Sequence, residues 1–371
     1  EKTVKMVSKI EYKGALNVLI LDEEGSEFIC KCIPGNLSTI IVPIRNGIPY
    51  FVKPVFFLFL LKRIFQFGFR NKALMSAIVD VVRPKVIISF IDNSSIMGEL
   101  NSIFPRKLVI SVQNGVRVDS NGFFNCNTII SLPHYFSFGD YEKDFVNRHG
   151  IEYENIYSSG SLKFSLFVDE YKKHPTNINA VCFISQYWPL DLSSPHKQHC
   201  HKIFRKVFIN LALWNVSHKQ TKVKVAMRNR VHDMYYYDEL NFYNKEKVDI
   251  IEQSNFSSYR AGFESSVSIT MFSTLGFELF GFGKKVLFCG MATNGNFIED
   301  EAVRFFFHKL PNFILLDSLD IAEFNSKINA LISMSESEYL EKTKEAREYY
   351  MKYGKNKTHN IISEFINDFI N

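Results

Sequence analysis

Several familiar signatures are missing from this chain, and each absence removes a class of function. There is no Gly-x-Gly-x-x-Gly and no Gly-x-x-x-x-Gly-Lys-Ser/Thr, so dinucleotide and P-loop chemistry are not expected. No Asp-x-Asp triplet, the signature of a metal-bridged diphosphate, occurs. Zinc-finger spacing and Lys/Arg blocks are absent, which argues against a nucleic-acid partner. The most apolar run, Val55-Phe-Phe-Leu-Phe-Leu-Leu61, stops at Lys62-Arg63, far short of the ~20 residues of a membrane span. Repeats and low-complexity tracts do not appear. Cysteine is sparse and scattered, at 30, 32, 126, 182, 200 and 289, with several inside apolar runs such as Val181-Cys-Phe-Ile184. That pattern predicts buried, reduced thiols in a cytosolic protein rather than a disulfide framework.

What is present is ample core material. With 46% hydrophobic and 15% aromatic residues, global disorder is excluded. A chain of 371 residues is too long for one compact core and suits two domains of about 150–200 residues each. The formal charge of +5 favours an anionic partner, a phosphorylated ligand or an acidic membrane surface, without demanding one. Opening on Glu with no signal-peptide pattern, the sequence reads as a piece of a longer protein.

Strand and helix signals alternate. Apolar, β-branched runs at 16–21, 37–44, 85–91, 107–112, 128–131 and 156–158 predict the strands of a parallel sheet. Residues 54–82 are helical by period, and a further helix should start near Asn93. The aromatic, basic-flanked run inside 54–70 is expected to be buried against the sheet, with an in-plane membrane contact as the alternative. The polar stretch 164–179, broken by Pro175, reads as a linker. Strands then recur at 180–185, 222–226, 248–251, 267–271, 286–288 and 312–316, with helices at 197–214, 336–353 and 361–370. The expected class is α/β with two Rossmann-like domains, 1–165 and 178–355, and a terminal helix at 356–371 that returns to the first domain.

Polar residues follow many of these strands, where open α/β sheets hold ligands. In the second half, Ser273-Thr274 opens a short helix that carries Gly276 and Glu278. A helix start of this kind offers free N–H groups and hydroxyls to an anion, and Gly276 would allow close approach of a phosphate. Glu278 shares the Thr274 face and could accept from ribose hydroxyls. Ser185-Gln186 and Arg228-Asn-Arg230 follow two more strands, the arginines suited to a phosphate or a sugar carboxylate. In the first half, Asp22-Glu-Glu-Gly25, Asp92-Asn93 and Gln113-Asn-Gly-Val-Arg117 end three strands. Asp22, Glu24 or Asp92 could act as a general base. Asn93 or Ser94 could instead cap the next helix. Gln113, Asn114 and Arg117 could grip a carboxylate or phosphate, Arg117 bidentately. Asp191 and Asp233 are candidate nucleophiles. His196, His199, Cys200 and His201 fit no established zinc spacing, so neither a metal nor a cofactor is expected.

Ser273-Thr-Leu-Gly-Phe-Glu278 followed by Gly283-Lys-Lys-Val-Leu287 resembles the donor-binding segment of GT-B glycosyltransferases that build bacterial surface polysaccharides. That group includes the CMP-sugar users, the sialyltransferases and the Kdo (3-deoxy-octulosonate) transferases. Tyr259 and Ala261 precede the segment much as a short helix does in such enzymes, and Gly160-Ser-Leu-Lys163 resembles the glycine-rich close of their N-terminal domain. Asp22-Glu-Glu-Gly25 resembles the Asp/Glu-Asp/Glu-Gly motif in which an acid activates the acceptor hydroxyl. Ile91-Asp-Asn-Ser94 and Gln113–Arg117 look like segments of other surface-carbohydrate proteins. One departure stands out. Relatives carry a His-Pro pair where this chain has Arg228-Asn-Arg230, and its own His174-Pro175 lies in the linker-like stretch. The resemblance implies a metal-independent GT-B transferase with the nucleotide sugar in the C-terminal domain and the acceptor in the N-terminal one. The donor it favours is CMP-Kdo, then a sialic-type CMP-sugar, then a UDP-sugar. The acceptor would be a lipid-linked glycan such as growing O-antigen or capsule, at the cytoplasmic face of the bacterial membrane and beside other assembly enzymes. A UDP-sugar epimerase and an inactive sugar-binding scaffold are the alternatives.

Overall fold

A computed structural model of the protein describes residues 16–43, 54–118, 131–171, 177–189, 195–246, 248–291, 301–354 and 356–371. The chain divides into two compact units, Glu1–Leu166 with Tyr353–Asn371, and Phe167–Lys352. Each is an α/β unit around one parallel sheet, of six and five strands, so the fold is that of two Rossmann-like units of GT-B type.

The first unit runs β1 (Val18–Leu21), α1 (Ser26–Cys30), β2 (Thr39–Val42), α2 (Pro54–Phe67), α3 (Asn71–Val82), β3 (Val86–Ser89), α4 (Ile96–Ile103), β4 (Leu108–Val112), β5 (Ser131–Ser137), α5 (Tyr141–Arg148), β6 (Glu152–Ser158) and the first half of α6 (Leu162–Glu170), which passes into the second unit at Phe167. Its strand order is β2-β1-β3-β4-β5-β6, all parallel. β1, β3 and β4 are continuous apolar or small-residue runs because both sheet faces are covered. Val18, Ile20, Val86, Ile88 and Ile110 line one face, Leu19, Leu21, Ile87 and Val109 the other. The chain's last helix, α14 (Thr358–Ile370), lays Ile362 and Ile366 on the first of these faces. Its start is fixed by Thr358 Oγ1, which donates to Ser159 O at 2.7 Å.

Three expectations need correction here. The helical stretch 54–82 is two helices, broken at Gly68, whose φ of +75° lies in the left-handed region that glycine enters without strain. Among the described residues α2 is covered on one side only, and Phe57, Leu58, Leu61 and Phe65 are exposed. The supposed linker 164–179 contains most of α6, where Phe164, Leu166 and Phe167 are buried, and the start of the next strand. His174-Pro175 lies outside the described residues.

The second unit runs β7 (Asn177–Ile184), α7 (Pro195–Ser217), β8 (Lys222–Ala226), α8 (Tyr236–Tyr243), β9 (Asp249–Ile251), α9 (Ser257–Glu264), β10 (Ser265–Thr270), α10 (Thr274–Gly281), β11 (Val286–Phe288), α11 (Glu301–Phe307), α12 (Ile321–Ser333) and α13 (Glu336–Tyr350). The sheet order is β11-β10-β7-β8-β9, again all parallel. The strand expected at 312–316 is instead a 3-10 turn, Asn312–Ile314, with a single parallel bridge from Leu315 to Phe288. Lys327 Nζ donates to the carbonyls of Asn312 and Leu315, which turns them away from a ladder.

Candidate functional site

In both sheets the first strand is flanked by strands reached in opposite directions, which opens a crevice at the carboxyl ends where the order reverses. In the second unit that point lies between β7 and β10. Gln186, just after β7, spans it: its Oε1 accepts from Phe272 N at 2.7 Å, Met271 N at 3.1 Å and Thr270 Oγ1 at 3.3 Å. The loop into α10 is thereby fixed from both sides. Ser273 is the N-cap of α10 with extended backbone (φ −67°, ψ 137°), and its side chain makes no capping bond. Its hydroxyl and the first-turn N–H groups of α10 therefore stand at the crevice.

The remaining donor candidates divide. Arg228 is exposed, its guanidinium 4.0 Å from the centre of the Trp188 ring while Nη1 donates to Tyr187 O at 2.9 Å. Arg230 is exposed too, and its N–H donates to Asp233 Oδ2 at 2.6 Å, which gives Asp233 a turn-forming role. Ser185 and Glu278 are buried, and Gly276 faces inward, where an added Cβ would stand 2.4 Å from Thr270 Cγ2. The missing side chain thus lets α10 approach β10, in place of the phosphate approach read from the sequence. Asp191 lies outside the described residues.

Sequence reasoning did not single out Glu239. This buried carboxylate on α8 accepts from Ser185 Oγ at 2.5 Å, Arg228 N at 2.9 Å, Asn229 N at 2.8 Å and Asn229 Nδ2 at 2.6 Å. It holds the loops after β7 and β8 in one arrangement. No local pattern announces it, because an acid in the first turn of a short helix, here beside Asp238, looks like a solvated one.

In the first unit the switch point lies between β1 and β3. Asp22 leaves β1 with φ +79°, buried, and its Oδ1 accepts from Glu24 N at 3.3 Å. Gly25 is packed under Phe90, whose Cδ1 would be 2.1 Å from any Cβ there. Glu24 is the exposed member of the three candidate acids. After β3, Ser94 Oγ accepts from Ile96 N at 3.4 Å at the start of α4. Asp92 is fully buried, with Arg117 Nη2 at 2.5 Å from Oδ1 and Tyr135 OH at 2.9 Å from Oδ2. Burial pushes its carboxyl above the ordinary range, against the pull of Arg117 and Tyr135. Arg117 Nη2 also reaches Asn114 Oδ1 at 2.8 Å, so three predicted residues converge in one cluster. Gln113 points elsewhere: Nε2 donates to Glu142 Oε1 at 2.7 Å, and Oε1 accepts from Phe138 N at 2.7 Å. Glu142, also missed from sequence, is buried and pushed up to about 7, chiefly by desolvation.

Among the described residues no group of three His, Cys, Asp or Glu side chains is placed to hold a metal ion. Cys200 is buried in α7, and His201 Nδ1 lies 2.6 Å from Trp188 O. The side chains of His196 and His199 are outside the description.

No protein-family model matches the chain, and no curated protein matches it in sequence. Solved structures do match in shape. The chain is similar to S. aureus MnaA with UDP bound (TM-score 0.58, 13% identity, 96% of each chain covered). It is similar to the UDP-GlcNAc 2-epimerase of Neisseria meningitidis bound to UDP-GlcNAc (TM-score 0.54, 9% identity, 96% of this chain and 99% of that one). A third is the putative UDP-N-acetylglucosamine 2-epimerase of Listeria monocytogenes (TM-score 0.56, 11% identity, 95% and 97%). These likenesses establish the fold.

Proposed function

We propose that the protein is a metal-independent glycosyltransferase that takes its sugar from a nucleotide donor held in the second unit. The observation that carries this reading is the crevice between β7 and β10. Gln186 fixes the backbone that enters α10, where Ser273, making no capping bond, offers its hydroxyl beside the first-turn N–H groups of the helix. An anionic diphosphate or monophosphate suits such a helix start. Arg228, braced on Trp188, supplies positive charge at the end of the adjoining strand β8, with Arg230 two residues on. Thr274 belongs to the same start, while Gly276, Ser185 and the buried Glu278 would shape the crevice from beneath.

The first unit would receive the acceptor, a lipid-linked bacterial surface glycan such as O-antigen or capsule. Of Asp22, Glu24 and Asp92, Glu24 suits the base best, because it is exposed while both Asp92 oxygens are engaged. Arg117, Asn114 and Gln113 would then order the acceptor side rather than react. CMP-Kdo remains the favoured donor on the Ser273–Leu287 resemblance. UDP-sugars gain weight because proteins of similar shape are known with UDP and UDP-GlcNAc bound. The same likenesses favour one second reading, an epimerase acting on a free UDP-sugar.

The test is a thermal-shift panel of CMP, UDP, GDP, ADP and NAD, followed by turnover with and without a glycan acceptor. A nucleotide at 100 times its dissociation constant adds ~2.7 kcal/mol of stability. Stabilisation by CMP or UDP that is lost in Arg228→Ala supports the donor site. Turnover of a UDP-sugar with no acceptor present establishes the epimerase instead, and a panel without response rejects both.

A further inference from the structure

Helix α2 carries apolar side chains on two sides, and the fold covers one of them. Phe56 is buried, and Phe59 and Leu60 pack on the core shared with α3. On the other side Phe57, Leu58, Leu61 and Phe65 recur at helical spacing, 51%, 67%, 53% and 89% exposed, and Phe69 just beyond is 92% exposed. A contiguous patch of this kind marks a contact surface rather than scattered exposure.

The stretch of sequence that carries it has one sign of charge. No acidic residue falls between Glu27 and Asp80, whereas seven Lys or Arg residues do, in a chain whose totals are 44 basic and 39 acidic. Asp80 is itself taken up by Arg63, whose Nε and Nη2 donate to it at 2.7 and 3.0 Å. Lys62, on the edge of the apolar face, and Arg70 are exposed.

A second, independent feature adjoins this one. A cavity of about 540 Å³ opens near the amino ends of β3 and β4, away from the switch-point loops, lined by Arg83, Lys85, Arg106 and Lys107 together with Phe104 and Phe369. No acidic residue lines it. Phe104 lies between the cavity and the core-facing side of α2, with Arg63 5.1 Å and Lys107 5.9 Å from its ring.

We propose that α2 and this basic cavity together dock the protein on an anionic lipid bilayer. α2 would lie in the interface plane with Phe57, Leu58, Leu61, Phe65 and Phe69 in the acyl boundary, and the four cations would take lipid phosphates. A second copy of this chain is a poorer occupant, because it would bring the same exposed cations, Lys62 and Arg70, to the contact. The proposal goes beyond the donor-site reading and does not depend on it, since vesicle binding needs no nucleotide.

The experiment is co-sedimentation of the full chain with vesicles of phosphatidylcholine alone and of phosphatidylcholine with phosphatidylglycerol. Binding should be confined to the anionic vesicles and weaken as salt is raised. The triple variant Leu58→Ser, Leu61→Ser, Phe65→Ser and the pair Arg83→Glu, Arg106→Glu should each lose roughly tenfold or more in partition. Both alter exposed side chains, so an unchanged melting temperature checks that they fold. Absence of binding by the unmodified protein overturns the proposal, as does equal binding to neutral vesicles. Light scattering that shows a dimer lost in the triple variant, with no vesicle binding, gives the face to a second copy and overturns it too.

Discussion

Arg117 Nη2 stands 2.5 Å from Asp92 Oδ1, in a pair whose side chains are 13% and 0% exposed. The bond ties the loop after β4 to the loop after β3, and Tyr135 closes it from β5. Breaking a buried pair from one side leaves a charge in a low-dielectric site with no compensation. Arg117→Ala should therefore cost about 3–5 kcal/mol. Asp92→Asn with Arg117→Ala should recover part of that loss, because no buried charge is left behind. Urea denaturation of the three proteins measures it, and equal stability of the single and double variants would contradict the pairing.

Glu142 sets a pH dependence whose sign can be worked out. Its carboxyl is pushed from an ordinary 4.5 up to about 7 in the folded protein, first by burial, with the bonds from Gln113 and Gly139 pulling the other way. Between those two values the folded state holds a proton that the unfolded state has released. Stability from this group is therefore greatest below pH 4.5, falls as pH rises through that window, and stays lower above 7. Glu142→Gln removes the titrating carboxyl, so its stability should change less across the window, while its amide NH2 faces one of the two N–H donors and costs one buried bond at every pH. Chemical denaturation at four pH values decides it. A variant whose pH slope matches the parent's would remove Glu142 as the source.

Glu239 predicts a coupling between stability and ligand. It accepts four hydrogen bonds from Ser185, Arg228 and Asn229. Glu239→Ala would take the carboxylate partner from the N–H groups of Arg228 and Asn229, at up to about 1–3 kcal/mol each. Nucleotide affinity should fall as well, since Arg228 and the loop after β8 lose their fixed place. Calorimetric titration with the nucleotide that the thermal panel selects provides the measurement. Unchanged affinity in a destabilised variant would confine Glu239 to a structural role.

Much of the framework was legible because parallel strands covered on both faces write themselves as unbroken apolar runs. β1, β4 and β11 fall inside such runs, and β11 ends where the sequence reading put it. Asp92 and the Asn114–Arg117 segment read in the sequence as the ends of two separate strands, and the sheet order brings them together. Glu142 and Glu239 escaped notice because their partners come from other elements; Ser185 is 54 positions away from Glu239. α2 misled for a different reason. Apolar residues on every side of a helix signal burial in sequence, and only the fold reveals which side is left exposed among the described residues. Residues 312–316 failed as a strand because Lys327 takes the carbonyls a ladder would need.

The close approach of α10 to β10 gives the last prediction, and it bears directly on the donor crevice. A Cβ added at Gly276 would stand 2.4 Å from Thr270 Cγ2 and 3.3 Å from Thr270 Cβ. Gly276→Ala must therefore push α10 away from the strand, at about 1–3 kcal/mol for an overpacked site. The displacement also moves the first turn, including Ser273, whose N–H lies 3.3 Å from Thr270 Oγ1. Thr270→Ser removes the methyl that meets the new Cβ and keeps the hydroxyl that contacts both Gln186 and Ser273. The double variant should recover stability that Gly276→Ala alone loses, and nucleotide affinity with it. If the alanine variant binds nucleotide as tightly as the parent, Gly276 shapes the core without setting the crevice. If affinity falls and the serine substitution restores it, the crevice depends on how closely one helix lies against one strand.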